Sequence, residues 1–261
     1  ASRAEGLGEM QTIWQDIYRI LGLRDGLGAE ALRLAGTWSM PAQPNRIVSD
    51  EDASRALIQR AGEKLSSIVE AAEWLRTIVR EVNVVHSDHR RAALTKIAHA
   101  RALEIGILLR KFDPATEKEL LAIWERVTFR IFGLGGADTR NKVGDYVRLA
   151  YDVVARDLKP AEIRKALIAL GADYRIDDVL DDFDCSDCYN GWTEELRYLL
   201  FRYDEHLASA AGEQINVTQW NKIWEIDPSK SIEHIAPQSS AKRYIHHLGN
   251  LTMLPPGVNS S

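Results

Sequence analysis

From Asp50 to about Val82 the apolar residues Leu57, Ile58, Ala61, Leu65, Ile68, Val69, Ala72, Leu75, Ile78 and Val79 return mostly every three or four positions, the spacing that lines one face of an α-helix. Ser49 precedes three acids, Asp50, Glu51 and Asp52, so a capped start is expected there, with negative charge at the positive end of the helix dipole. An apolar face of that length requires partner helices. The same spacing predicts a first helix from Met10 through Ile13, Trp14, Ile17, Tyr18, Ile20 and Leu21, ended by the Gly22 to Gly28 stretch, and a short second helix over 29–34. Pro41 and Pro44 predict a loop over 38–45. A helix from Ser87 to Phe112 carries Leu94, Ile97, Ala98, Ala102, Ile105, Leu108 and Leu109 as its stripe. After a break at Asp113 and Pro114, another runs from Glu117 to Phe132 with Thr116 as its cap, and further helices are expected over 142–157, 160–170 and 193–211. Seven or eight helices without alternating strands predict a mainly α chain of helix-on-helix layers. Trp14, Trp74 and Trp124, set among apolar neighbours, are expected in its core.

Beyond residue 211 the helical spacing gives out. The final stretch, SIEHIAPQSSAKRYIHHLGNLTMLPPGVNSS from Ser231 to Ser261, sets Glu233 beside His234, followed by Asn250 and Asn259. All lie in loop-forming sequence that holds Pro237, Gly249, Pro255, Pro256 and Gly257. A carboxylate is a hard oxygen ligand suited to Mg²⁺ or Mn²⁺, an imidazole of near-neutral pKa is the usual general base, and an Asn amide can ligate or pin a loop. Together these are the parts for hydrolysing a phosphodiester. Taken singly, each reads as a solvated histidine or a turn asparagine; only the combination argues for a site. Trp220 and Trp224, four apart, are expected to brace it.

Composition narrows the picture. The 261 residues are 45% hydrophobic, enough for one large or two modest cores, and no apolar run approaches a membrane span or a signal-peptide core. A net charge of −5 excludes a surface devoted as a whole to nucleic acid. The charge is uneven, however: six acids and no base lie from Asp177 to Asp187, whereas Lys230, Lys242 and Arg243 face the single acid Glu233 after residue 228. Two cysteines, Cys185 and Cys188, point to a reducing compartment, and a cytoplasmic location is expected. Their spacing is half a zinc site with no second pair, so they are read as reduced thiols. Gly133, Gly135 and Gly136 lack the Gly-Lys-Ser/Thr ending of a phosphate loop and follow a helix, so they read as a helix stop. His86 and His89 read as solvated turn residues.

The S-I-E-H-I-x-P-Q run from Ser231 to Gln238, the L-G-N-L-T-x-L run from Leu248 to Leu254 and the trailing Asn259 resemble the HNH, or His-Me finger, nucleases. More narrowly, they resemble the nuclease end of GmrSD-type DNA-restriction proteins and of the related SspE anti-phage effectors. The Cys188 to Arg202 run, C-Y-N-G-W-T-E-E-L-R-Y-L-L-F-R, is similar to the helical segment preceding the nuclease motif in that family, and the likeness is specific from about Asp178.

The resemblance implies a multi-helix scaffold over residues 1–211 followed by a small ββα-metal (HNH) motif over 212–261. In such motifs the first run ends one strand, the second lies in and after the connecting loop, and the last Asn opens a helix. The family continues past that Asn into a helix, and this chain stops at Ser261, so the motif is expected to be truncated there. By the same resemblance Glu233 and Asn259 hold one divalent cation, Mg²⁺ or Mn²⁺, and His234 is the general base. Asn250 belongs to the catalytic set by pinning the loop and orienting the histidine. Lys242 and Arg243 meet DNA backbone phosphates, and one of His246 and His247 packs in the loop. The implied activity is metal-dependent endonucleolytic cleavage of phage or modified DNA in restriction or anti-phage defence. The implied partner is an NTPase-like N-terminal regulatory domain absent from this chain, so no nucleotide site is expected here. The competing reading is a non-catalytic helical module that binds DNA or protein and carries a degenerate or incomplete motif.

Overall fold

The computed structural model of the protein describes residues 3–183, 187–215, 220–240 and 243–254. The chain forms two compact units. One comprises residues 1–88, 94–132 and 136–173; the other comprises 89–93, 133–135 and 174–261.

The larger unit is built of helices joined by loops, with no strand among its described residues. Its elements are α1 (Arg3–Leu21), α2 (Asp25–Thr37), α3 (Asp50–Ala61), α4 (Leu65–Ser87), α6 (Ala98–Leu109), α7 (Pro114–Thr128), α8 (Val143–Ala155) and α9 (Pro160–Leu170); a single-turn α5 (Ala92–Thr95), divided between the two units after Ala93, precedes α6 in the chain. α1 and α2 pack on α4, α4 on α6, α6 on α8, and α7 on α9. Ile13 and Ile17 of α1, Leu34 of α2, Ile78 and Val82 of α4 and Ile105 of α6 form one core with Trp38 and Tyr151.

The stripe from Leu57 to Val79 predicts one helix, and the structure has two. Gly62 breaks it with a φ of 61°, a conformation that a side chain disfavours, while its N–H closes α3 on the Ile58 carbonyl at 3.0 Å. Ile58 consequently leaves the stripe and stands exposed. The Ser49 start holds: its hydroxyl accepts the Asp52 N–H at 3.2 Å. At the next start the cap is Asp113, which accepts the Thr116 N–H at 3.1 Å with Pro114 in the first turn, so Thr116 receives the cap rather than supplying it. The expected helix from Ser87 to Phe112 shortens to α6. The glycines after Phe132 do end a helix, through a π-turn over Phe129–Leu134 and a positive φ at Gly136.

Aromatic burial departs from expectation at two places. Trp14 is 41% exposed because Ile13 and Ile17 take the core face of α1, and Trp38, expected in a loop, is buried at the end of α2. Trp124 is fully buried, and its indole N–H reaches the Ala100 carbonyl at 3.0 Å. His86 is not a solvated turn residue. It lies in the last turn of α4 with Nε2 2.7 Å from Glu30 on α2, and Arg101 Nε on α6 reaches the other oxygen of the same carboxylate at 2.6 Å. One buried acid thus joins three helices, and its two donors offset its desolvation.

The smaller unit contains α10 (Ile176–Phe183), formed by the acidic run that periodicity had left unassigned, then α11 (Thr193–Ala210), β1 (Ile232–His234) and β2 (Leu251–Met253). The strands pair antiparallel, with Ile232 opposite Met253, Glu233 opposite Thr252 and His234 opposite Leu251. Contacts group α11 with these strands, whereas helical spacing alone attaches it to the helices before it.

Two predictions follow from the larger unit. A Cβ added at Gly36 would overlap the Ala53 backbone where α2 and α3 cross, so Gly36→Ala is expected to destabilise by about 1–3 kcal/mol, read from the urea midpoint. His99 on α6 is 5% exposed between the rings of Phe132 and Tyr146, and desolvation pushes its pKa down to about 4, against a hydrogen bond to the Asn141 backbone. In the unfolded chain the same group titrates near its ordinary value of 6.5, so between the two values only the unfolded state binds the proton. Stability should therefore be full above that window and fall as pH drops through it, by at most about 1.4 kcal/mol per pH unit. Urea unfolding of wild type and His99→Phe at several pH values checks this, since the variant lacks that contribution to the slope.

Candidate functional site

A three-pair ribbon is too short to stand alone in water, and its position is set by what it packs on. Along β1 and β2 side chains alternate, so Ile232 and His234 share a face with Met253 and Leu251 while Glu233 and Thr252 point the other way. Ile232, Leu251 and Met253 are buried against Leu196, Leu200 and Phe201 of α11. Phe201 meets Trp220 and Trp224 at ring separations of 6.0 and 5.1 Å, the bracing expected of that tryptophan pair. Arg197, also buried, donates to the Ile223 and Ile226 carbonyls at 2.7 and 2.9 Å and lies over Trp224, tying α11 to the segment that leads into β1. Entry to the strand is set by Asp227, whose carboxylate accepts the Ser229 N–H at 2.9 Å to start a one-turn 3₁₀ helix at Pro228.

The link between the strands is closed by Asn250, which is 7% exposed. Its Oδ1 accepts the Ala236 N–H at 2.8 Å, and its Nδ2 donates to the Ile245 carbonyl at 2.8 Å and the Ala236 carbonyl at 3.3 Å. The Asn250 carbonyl also accepts the Ile235 N–H at 2.9 Å. Both ends of the loop are thereby fastened to one carboxamide whose donors and acceptor are all engaged, which leaves it to position rather than to react.

Closure brings His246 to His234, with His234 Nε2 3.1 Å from His246 Nδ1. The other nitrogen of His234, Nδ1, lies 3.1 Å from Gln238 Nε2. Tyr189 stacks on the His246 ring at 5.4 Å and meets the His234 ring edge-on at 4.7 Å. Asp187 holds Tyr189 in place by accepting the N–H groups of Tyr189 and Asn190 at 3.0 and 2.9 Å, and the Cys188 N–H reaches the His246 carbonyl at 2.9 Å. Those amide donors, the Asn190 side chain foremost, outweigh burial and hold the Asp187 carboxyl below its ordinary range. Burial and the neighbouring His246 lower the pKa of His234, against the opposing fields of Glu233 and Asp187. A lowered pKa keeps the imidazole neutral, with a lone pair to accept a proton.

Glu233 is half-buried and has no ion pair among the described residues, and no group of three His, Cys, Asp or Glu side chains there is arranged to hold a metal. The Glu233 carboxylate is an oxygen donor of the kind taken by Mg²⁺ or Mn²⁺, ions that bind through one or two carboxylates and keep most of their shell as water and phosphate. Asn259 and Lys242 lie outside the described residues, as does Cys185. Arg243 is exposed and without an ion partner among the described residues. Cys188 is buried, which pushes its thiol pKa up. His247 is half-buried and donates its backbone N–H to the Tyr244 carbonyl. Nothing in the sequence pattern marks Asp187, Tyr189 or Gln238 as part of a site, although Tyr189 stands in the Cys188 to Arg202 run and Gln238 ends the Ser231 to Gln238 run.

No curated protein and no solved structure is significantly similar to the chain. Residues 173–261, which contain every side chain of this site, match the family described as GmrSD restriction endonucleases, C-terminal domain.

Proposed function

We propose that the chain is a metal-dependent DNA endonuclease of the HNH, or ββα-metal, type that acts in restriction or anti-phage defence. The observation that carries this reading is His234, a half-buried imidazole of lowered pKa next in sequence to Glu233, a carboxylate with no ion pair among the described residues, within the region that matches a restriction-endonuclease domain.

In this mechanism His234 takes the proton of the water that attacks the phosphodiester. Its ring is held by strand pairing on one side and by Tyr189 and His246 on the other, so the base does not have to be ordered when substrate arrives. Glu233 and Asn259 would hold a Mg²⁺ or Mn²⁺ ion, which when bound supplies charge stabilisation to the phosphate and the departing 3′ oxygen. Asn250 keeps the loop that follows His234 closed through its bonds to Ala236 and Ile245. Lys242 and Arg243 pair with backbone phosphates, orienting DNA without reading its sequence. The DNA is phage or modified DNA, and control comes from an NTPase-like domain outside this chain. Among the described residues no helix is long and apolar enough to cross a membrane, in keeping with an enzyme that meets DNA in the cytoplasm.

His234→Ala should lower Mg²⁺- or Mn²⁺-dependent plasmid nicking by ~10²–10⁴-fold while leaving the unfolding transition in place. Near-full cleavage by the folded variant would move the base elsewhere, and wild-type protein unable to nick DNA with either metal would favour the binding-module reading. The Lys242→Ala/Arg243→Ala double variant should bind DNA more weakly whatever its sequence, with a salt slope smaller by about two. An unchanged slope would remove both residues from the DNA contact.

A further inference from the structure

His246 lies outside the E-H-I-x-P-Q and L-G-N-L-T runs, yet it makes the closest side-chain approach to His234 from the far side of the loop. The direction of the hydrogen bonds there is fixed by the partner on the opposite nitrogen. Gln238 Nε2 can only donate, so His234 Nδ1 accepts, and the neutral ring keeps its one proton on Nε2. That proton faces His246 Nδ1, which accepts it, and His246 carries its own proton on Nε2.

We propose that His246 is a positioning residue for His234: by accepting the Nε2 proton it holds the base in the tautomer whose lone pair lies on Nδ1, beside the exposed Gln238. A water can replace the Gln238 amide on Nδ1, whereas Nε2 is taken up by His246, and the Tyr189 ring meets the same imidazole edge-on. Everything around His246 fixes its ring. Tyr189 stacks on it with an interplanar angle of 12°, the Cys188 N–H ties its carbonyl, and the Asp187 turn anchors the segment that carries both residues. A histidine that merely filled the loop would need no aligned ring nitrogen. The assignment deepens the nuclease reading and rests on it for its catalytic meaning, though the tautomer itself does not.

Long-range ¹H–¹⁵N spectra of the histidine rings, recorded at neutral pH without DNA or metal, distinguish a protonated ring nitrogen from a bare one. Wild-type His234 is expected to be protonated on Nε2 alone. His246→Phe keeps a ring against Tyr189 but removes the acceptor; it should leave His234 a mixture of tautomers and slow nicking about tenfold to a hundredfold. His246→Asn offers an amide oxygen in place of Nδ1 and should restore much of both. A proton on Nδ1 in wild-type His234, or an unchanged single tautomer in folded His246→Phe, would overturn the proposal. If His246→Phe does not fold, the wild-type spectrum and the His246→Asn comparison decide it by the same criteria. Failure of the wild type to nick DNA would count against the nuclease reading and leave the tautomer result standing.

Discussion

Two strands of three residues cannot hold themselves together, and the candidate site exists because something else fixes their separation and the loop between them. The Asn250 carboxamide does this from within. It is nearly buried, and it answers the Ala236 N–H and the Ala236 and Ile245 carbonyls, groups that would otherwise lose water without replacement. Without that clamp the loop has no reason to fold back, and the imidazoles of His234 and His246 have no reason to meet. The apolar face of the ribbon on α11 supplies the burial; the clamp supplies the register of the loop.

The chemistry of the site follows from the same economy of parts. A lone imidazole at a strand end would titrate near its ordinary value and turn between tautomers. Here burial and a second imidazole lower its pKa, while Glu233 and Asp187 oppose the shift. The carboxylates differ in their surroundings. Asp187 is engaged by backbone and amide donors and acts as a structural anchor for Tyr189, whereas Glu233, on the opposite face of the strand from His234, has no ion pair among the described residues. The larger unit uses charge in another way: Glu30 is buried with both oxygens met by His86 and Arg101, so its carboxylate serves as a joint between α2, α4 and α6.

The sequence by itself determined the helical class, most of the helix positions, the capped start at Ser49 and the short motif that carries His234, because periodicity, caps and short motifs are local and are written in neighbouring residues. It also suggested a loop-pinning role for Asn250, whose carboxamide bonds Ala236 and Ile245 in the structure. Tertiary structure alone decided which face of α1 is buried, so that Trp14 is exposed and Ile13 is not, since a helix with apolar residues on more than one side does not announce its partner. It also decided the break at Gly62, where the apolar spacing runs on through a residue whose backbone turns aside. The meeting of Tyr189, His234 and His246 was beyond the sequence for the same reason. These residues are far apart in the chain, and only the burial of β1 and β2 on α11 and the Asn250 clamp bring their rings within hydrogen-bonding and stacking distance.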